Sequence, residues 1–235
     1  MLRQILIFLA IATSLLAGLA HGCKKDTPPP PPAPTHIGTE ISFTEEFDSV
    51  YNLQTKGWVM TDNSSASGNT ASAPWSQGLR SVDKSGNWYG FVAYSYQNLE
   101  TEFIYSNASS SASQANYSSW LISPVLSVKN GDKISFYTRG DTTGTNYNRM
   151  QVRVGMTSGT DVGHSASSVG SFSEMIMEIN PSQSAGGYPQ IWTKYEYTFT
   201  GITSKTDVRV GFRHYISNIG ITKGIGIDQF KFQAN

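Results

Sequence analysis

Three observations predict an all-β fold. Apolar and polar residues alternate one by one along several short runs, turn formers cluster between those runs, and no stretch shows the period of an amphipathic helix. The chain beyond residue 39 is long enough for one large β domain, so a single core is expected in 40–235.

The clearest run is 133–139, where Ile134 and Phe136 fall on one face and Lys133, Ser135 and Arg139 on the other. Met150, Val152 and Val154 alternate in the same way with Gln151 and Arg153. Tyr195, Tyr197 and Phe199 alternate with Glu196 and Thr198, and Val208, Val210 and Phe212 with Arg209 and Arg213. Asn130-Gly131-Asp132, the segment 140–148 and the segment 201–206 supply the turns between them. The last run breaks its own period: Ile225 and Ile227 share one parity, Phe230 and Phe232 the other. An extra residue at Asp228-Gln229 would make a β-bulge there and re-aim the Asp228 side chain, while a strand ending at that point is the alternative. The segments 61–87 and 105–117 are dominated by Ser, Asn, Ala and Gly and read as long surface loops, where a binding site can sit.

The first residues read as an export signal. Arg3 gives the positive start, 5–20 is an almost unbroken apolar run, and Leu19-Ala20-His21-Gly22-Cys23 resembles a lipobox, which is cut before a lipid-modified cysteine. Cys23 is the only cysteine and the expected lipidation site. Each buried methylene of an acyl chain adds roughly 0.8 kcal/mol, so several chains hold a protein in a membrane almost irreversibly. Pro28 to Pro32 and Pro34 follow, and proline locks φ and removes a backbone donor, so this stretch is expected to be a stiff polyproline spacer. The organisation expected is a lipoprotein signal peptide at 1–22, a lipidated, proline-rich tether at 23–39 and the β domain. Lacking a second cysteine, an exported domain of this chain is stabilised by packing, or by a metal, and not by an internal disulfide.

Lys and Arg number 17 and so do Asp and Glu, with only 14% of residues charged. This argues against nucleic acid, whose backbone demands a basic surface. For catalysis, His36, His164 and His214 show no zinc-ligand spacing, no cysteine follows Cys23, and no pair of acids is marked out for glycoside hydrolysis. A non-enzyme is expected. Trp75, Trp88 and Tyr89 lie beside the polar loops and are the candidate ligand-binding rings, because flat aromatic faces stack on sugars.

Six strings in order resemble the cleaved-adhesin family, also called choice-of-anchor J. They are Glu45-Glu46-Phe47-Asp48, Gly57-Trp58, Ser119-Trp120-Leu121-Ile122-Ser123-Pro124, Trp192, Val208-Arg209-Val210-Gly211-Phe212-Arg213-His214-Tyr215 and Gly226-Ile227-Asp228-Gln229-Phe230, with Trp75 and the 133–137 strand between. The resemblance implies a jelly-roll β-sandwich of two antiparallel sheets, a role in adhesion, and framework positions for Trp58, Trp120 and Trp192. It also brings Glu46, Asp48 and Asp228 close together as candidate Ca²⁺ ligands, with solvated or hydrogen-bonded turn acids as the alternative. The chain departs from the family where Asp62 is followed by Asn63, Ser64 and Ser65, and where Asp228 is followed by Gln229. Both departures remove negative charge.

The function expected is that of a lipoprotein anchored to the outer membrane, at the cell surface, binding an extracellular glycan or a host or surface protein. A structural or accessory part of a surface nutrient-capture complex is the alternative, and a degradative enzyme a third.

Overall fold

The computed structural model describes residues 37–65, 75–82, 84–86, 88–94, 102–108, 116–141, 147–217 and 224–235, with only the backbone described at 81, 82, 88 and 89. Cys23 and the proline-rich tether lie outside the described residues. Strands β1 (Phe43–Glu45), β2 (Val59–Asp62), β3 (Ser76–Gln77), β4 (Ser81–Val82), β5 (Trp88–Tyr89), β6 (Ile104–Asn107) and β7 (Asn116–Ile122) are followed by β8 (Leu126–Val128), β9 (Lys133–Gly140) and β10 (Met150–Gly155). The last are β11 (Glu174–Ile179), β12 (Thr193–Thr198), β13 (Thr206–Ser217) and β14 (Gly224–Gln233), and a 3₁₀ turn spans Val50–Lys56.

The strands form two six-stranded antiparallel sheets. The front sheet runs β12-β9-β14-β6-β3 with β1 also on β14, and the back sheet runs β11-β10-β13-β7-β2 with β8 also on β13. Strands β4 and β5 make a separate small ladder. The architecture is the expected β-sandwich. Two departures concern the segments read as loops: β3 and β4 lie within 61–87, and β6 and β7 reach into 105–117, because short strands with polar outer faces carry too little apolar alternation to show in sequence.

Inward positions follow the alternation. Ile134 and Phe136 of β9, Met150, Val152 and Val154 of β10, and Val208, Val210 and Phe212 of β13 are all buried. A chain of rings crosses the core from sheet to sheet: Phe136 meets Phe212 at 4.9 Å, Phe212 meets Phe230 at 5.8 Å, and Trp58 meets Phe230 at 5.2 Å, each edge to face. Edge-to-face pairs add about 0.5–1.5 kcal/mol each beyond the area they bury.

Arg213 differs from its polar-face expectation, being 2% exposed. The connection between β10 and β11 folds over the outer face of the back sheet, where Val162 and Phe172 pack on Trp120 and Ile122. Beneath it Arg213 stacks on Tyr215 at 3.7 Å and donates to Ser118 Oγ, Gln151 Oε1 and the Ala166 carbonyl. Asn63 holds this connection down by donating its amide to the carbonyls of Val162 at 3.1 Å and Gly163 at 2.8 Å. An aspartate at this position would have no N–H to donate to either carbonyl.

Between the sheets lies a short polar chain. Ser106 Oγ of β6 is 2.9 Å from His214 Nδ1 of β13, and His214 Nε2 is 3.1 Å from Asn148 Oδ1, whose amide nitrogen donates to the Gly224 carbonyl. Full burial pushes the His214 pKa down from 6.5 to about 3, so the ring is neutral and bridges the sheets by hydrogen bonds. Because the folded value lies below the unfolded one, its contribution is complete above pH 6.5 and is lost as pH falls from 6.5 toward 3. Urea unfolding across this range should show stability falling by up to about 1.4 kcal/mol per pH unit from this group. His214→Gln should flatten the slope above about pH 5, before the carboxylates titrate.

Candidate functional site

The parity slip in the last run is a bulge. The register of β14 against β9 shifts between Asp228 and Lys231, and Gln229 takes a left-handed φ of 46°. At this point β14 changes partner on one side, from β6 at Ile225 and Ile227 to β1 at Phe230 and Phe232. Asp228 lies opposite Tyr137 and is fully buried. Its Oδ2 accepts the backbone N–H of Tyr94 at 2.8 Å and its Oδ1 that of Gln229 at 2.8 Å.

The Tyr94 bond fastens a strap, residues 90–94, across the outer face of the front sheet. Phe91 of the strap stacks on Phe103 at 4.9 Å and meets the edge of Trp192 at 5.5 Å, with the Arg139 guanidinium 4.5 Å from its ring centre. Gly226 makes room for this cluster: a Cβ there would stand 2.7 Å from the Phe91 ring and 2.9 Å from Trp192. Trp192 Nε1 donates to the Val92 carbonyl at 2.9 Å. At the end of the strap Tyr94 stacks on Tyr137 with centroids 3.7 Å apart and planes 16° from parallel. Tyr94 is 36% exposed and Ile191 beside Trp192 is 74% exposed, so the end of the strap and the residues just before β12 present an aromatic and aliphatic surface to solvent. Rings held by packing and by main-chain bonds make a pre-ordered platform for an apolar ligand face, with the tyrosine hydroxyls as polar tips.

The residues singled out in the sequence fall in several places. Trp75 is a correction: it is 1% exposed and packs in the main core, because the polar loop beside it says nothing about which way its ring turns. Trp88 and Tyr89 form β5, and their rings lie outside the described residues. Asp48 is exposed and Glu46 half-buried, and the Glu46 carboxyl is raised above its usual pKa, first by burial and then by Asp48, Glu102 and Glu45. The Gln229 side chain hydrogen-bonds Glu46 and opposes that shift, where a second acid would repel it. Among the described residues no three His, Cys, Asp or Glu side chains gather as a metal-ion group. Asp228 serves backbone amides, so the three acids do not by themselves fit a Ca²⁺ site. Tyr94, Tyr137 and Trp192 carry the platform instead. One signal pointed to it: Tyr137 stands on the polar parity of β9, among Lys133, Ser135 and Arg139.

Removing the Asp228 carboxylate leaves two backbone donors without their acceptor. Asp228→Ala should therefore lower the unfolding free energy by about 2–4 kcal/mol in urea titrations, and Trp75→Ala should cost about 3–5 kcal/mol through the cavity it leaves. Raising calcium should not restore either loss.

Comparison with solved structures finds the K1 cleaved adhesin domain of Lys-gingipain from Porphyromonas gingivalis W83, at 18% identity and a TM-score of 0.52, over 83% of this chain and 99% of that one. The K3 cleaved adhesin domain of Lys-gingipain matches at 17% identity and a TM-score of 0.49, over 82% and 98%. TmCBM61 in complex with beta-1,4-galactotriose matches at 10% identity and a TM-score of 0.40, over 81% and 99%. No family model and no curated protein matches the chain. The sequence strings that resemble the cleaved-adhesin family thus sit on a matching architecture, and the fold of this domain is that of a cleaved adhesin domain.

Proposed function

We propose that the chain is a non-catalytic binding lipoprotein of the cell surface, tethered through Cys23 to the outer membrane, which recognises an extracellular glycan or surface protein. The observation that carries the reading is the Tyr94–Tyr137 stack, mounted with Trp192 on the outer face of a rigid sheet and left open to solvent. Carbohydrate rings present apolar C–H faces and hydroxyl edges, and this surface offers the matching chemistry of flat rings and phenolic tips. The fold shared with a domain described as a cleaved adhesin supports a binding role. A catalytic role finds less support: His214, in the 208–215 string, is buried and neutral, and among the described residues it hydrogen-bonds to core groups.

A glycan array with the purified full-length chain tests the platform. Tyr94→Ala should weaken the best glycan by about tenfold with little change in melting temperature, since the ring stacks outside the core. Clean failure on the array by a folded chain would turn the reading toward protein contacts alone, and release of a product would require an enzyme.

Anchoring is tested separately. Cys23→Ala should leave the chain in the soluble or unprocessed fraction, and mass spectrometry showing a lipidated variant would defeat the anchor.

A further inference from the structure

A cavity of about 600 Å³ lies where the segment 37–45 meets the end of the 3₁₀ turn and the connection from β7 to β8. That volume is in the range of ligand pockets. It is separate from the aromatic platform: no residue of the strap lines it. Ile37 and Ile41, 69% and 77% exposed, join Phe43 and Pro124 in aliphatic and aromatic walls.

Three charged groups line the same space: Glu45, Lys56 and Arg209. Lys56 Nζ and Glu45 Oε1 pair at 2.9 Å, and Oε1 also accepts the Phe47 N–H at 3.3 Å. Glu45 Oε2 has no hydrogen-bond partner among the described residues. Arg209 is held by carbonyls alone: Nε donates to Ser158 at 2.8 Å, and Nη1 to Gly57 at 2.9 Å and Ser123 at 2.6 Å. Among the described residues it forms no ion pair, and its Nη2 has no partner. Carbonyls fix the orientation of a guanidinium without neutralising it, and burial lowers its pKa. A pre-oriented cation lacking a counter-charge suits a carboxylate, and the walls around it suit an apolar body.

We propose that this cavity binds the C-terminal end of a peptide whose last residue is apolar. The terminal carboxylate meets Arg209, the last side chain lies against Ile41 and Phe43, and the last amide N–H donates to Glu45. A fatty acid shares the apolar carboxylate but has no N–H for Glu45, which favours the peptide.

The test is calorimetric titration of the full-length chain with acetyl-Ala-Ala-Leu as the free acid, the same peptide as its C-terminal amide, and decanoate. The free acid should bind, and the amide should bind at least about tenfold more weakly, since it loses the charge-assisted contact. Arg209→Gln should weaken the acid by a similar factor. Because Arg209 also holds three carbonyls, Ile41→Glu is the control: it places a negative charge at an exposed wall, should abolish binding, and should leave the melting temperature unchanged. Equal binding of acid and amide, no binding of the acid at millimolar concentration, or full binding by a folded Ile41→Glu variant would each overturn the proposal. So would binding of decanoate without the peptide.

Discussion

A carboxylate taken out of water must be met by donors, and how Asp228 meets this demand organises one whole side of the molecule. Its two oxygens are taken by main-chain amides from quite different parts of the chain, one in its own bulge and one in the strap. With the Trp192–Val92 bond and the Phe91 packing, that anchor holds the strap against the sheet, where its Phe91 and Tyr94 rings join Phe103, Tyr137 and Trp192. Gly226 and Arg139 then acquire their roles from what lies over them: the first by absence of a side chain, the second by a cation over the Phe91 ring.

The same economy appears on the back sheet. Among the described residues Arg213 is buried without a directly bonded carboxylate, and its charge is accommodated by Ser118, Gln151, the Ala166 carbonyl and the face of Tyr215. Each sheet therefore has an outer face that a loop has converted into a second, smaller core: Phe91 with Phe103 in front, Trp120 with Phe172 behind. For a domain of this size without a described disulfide, these flanking layers enlarge the apolar area buried on folding, which is the dominant favourable term.

How much of this was legible in the sequence depended on periodicity. The runs at 133–139, 150–154 and 208–212 declared their inner faces because alternation is imposed by the pleat itself. The bulge was legible for the same reason, since a single inserted residue reverses parity downstream. What lay over the sheets was not legible. The strap and the β10–β11 connection have no period, so nothing in their residues announces that Phe91 or Phe172 turns inward. Trp75 shows the same limit from the other side, as a core ring beside a stretch of Ser and Ala. Of the site, Tyr137 could be found from its parity, whereas Tyr94 depends on a hydrogen bond to a residue 134 positions away.

The place of β14 has a temporal meaning. It runs through the interior of the front sheet, between β9 and β6, yet follows β1 to β13 in chain order. While the chain emerges from a ribosome, amino end first, the front sheet has no centre and Asp228 is not yet present to hold the strap. The ring surface that strap and sheet make together therefore forms only after β1 to β13 have been made.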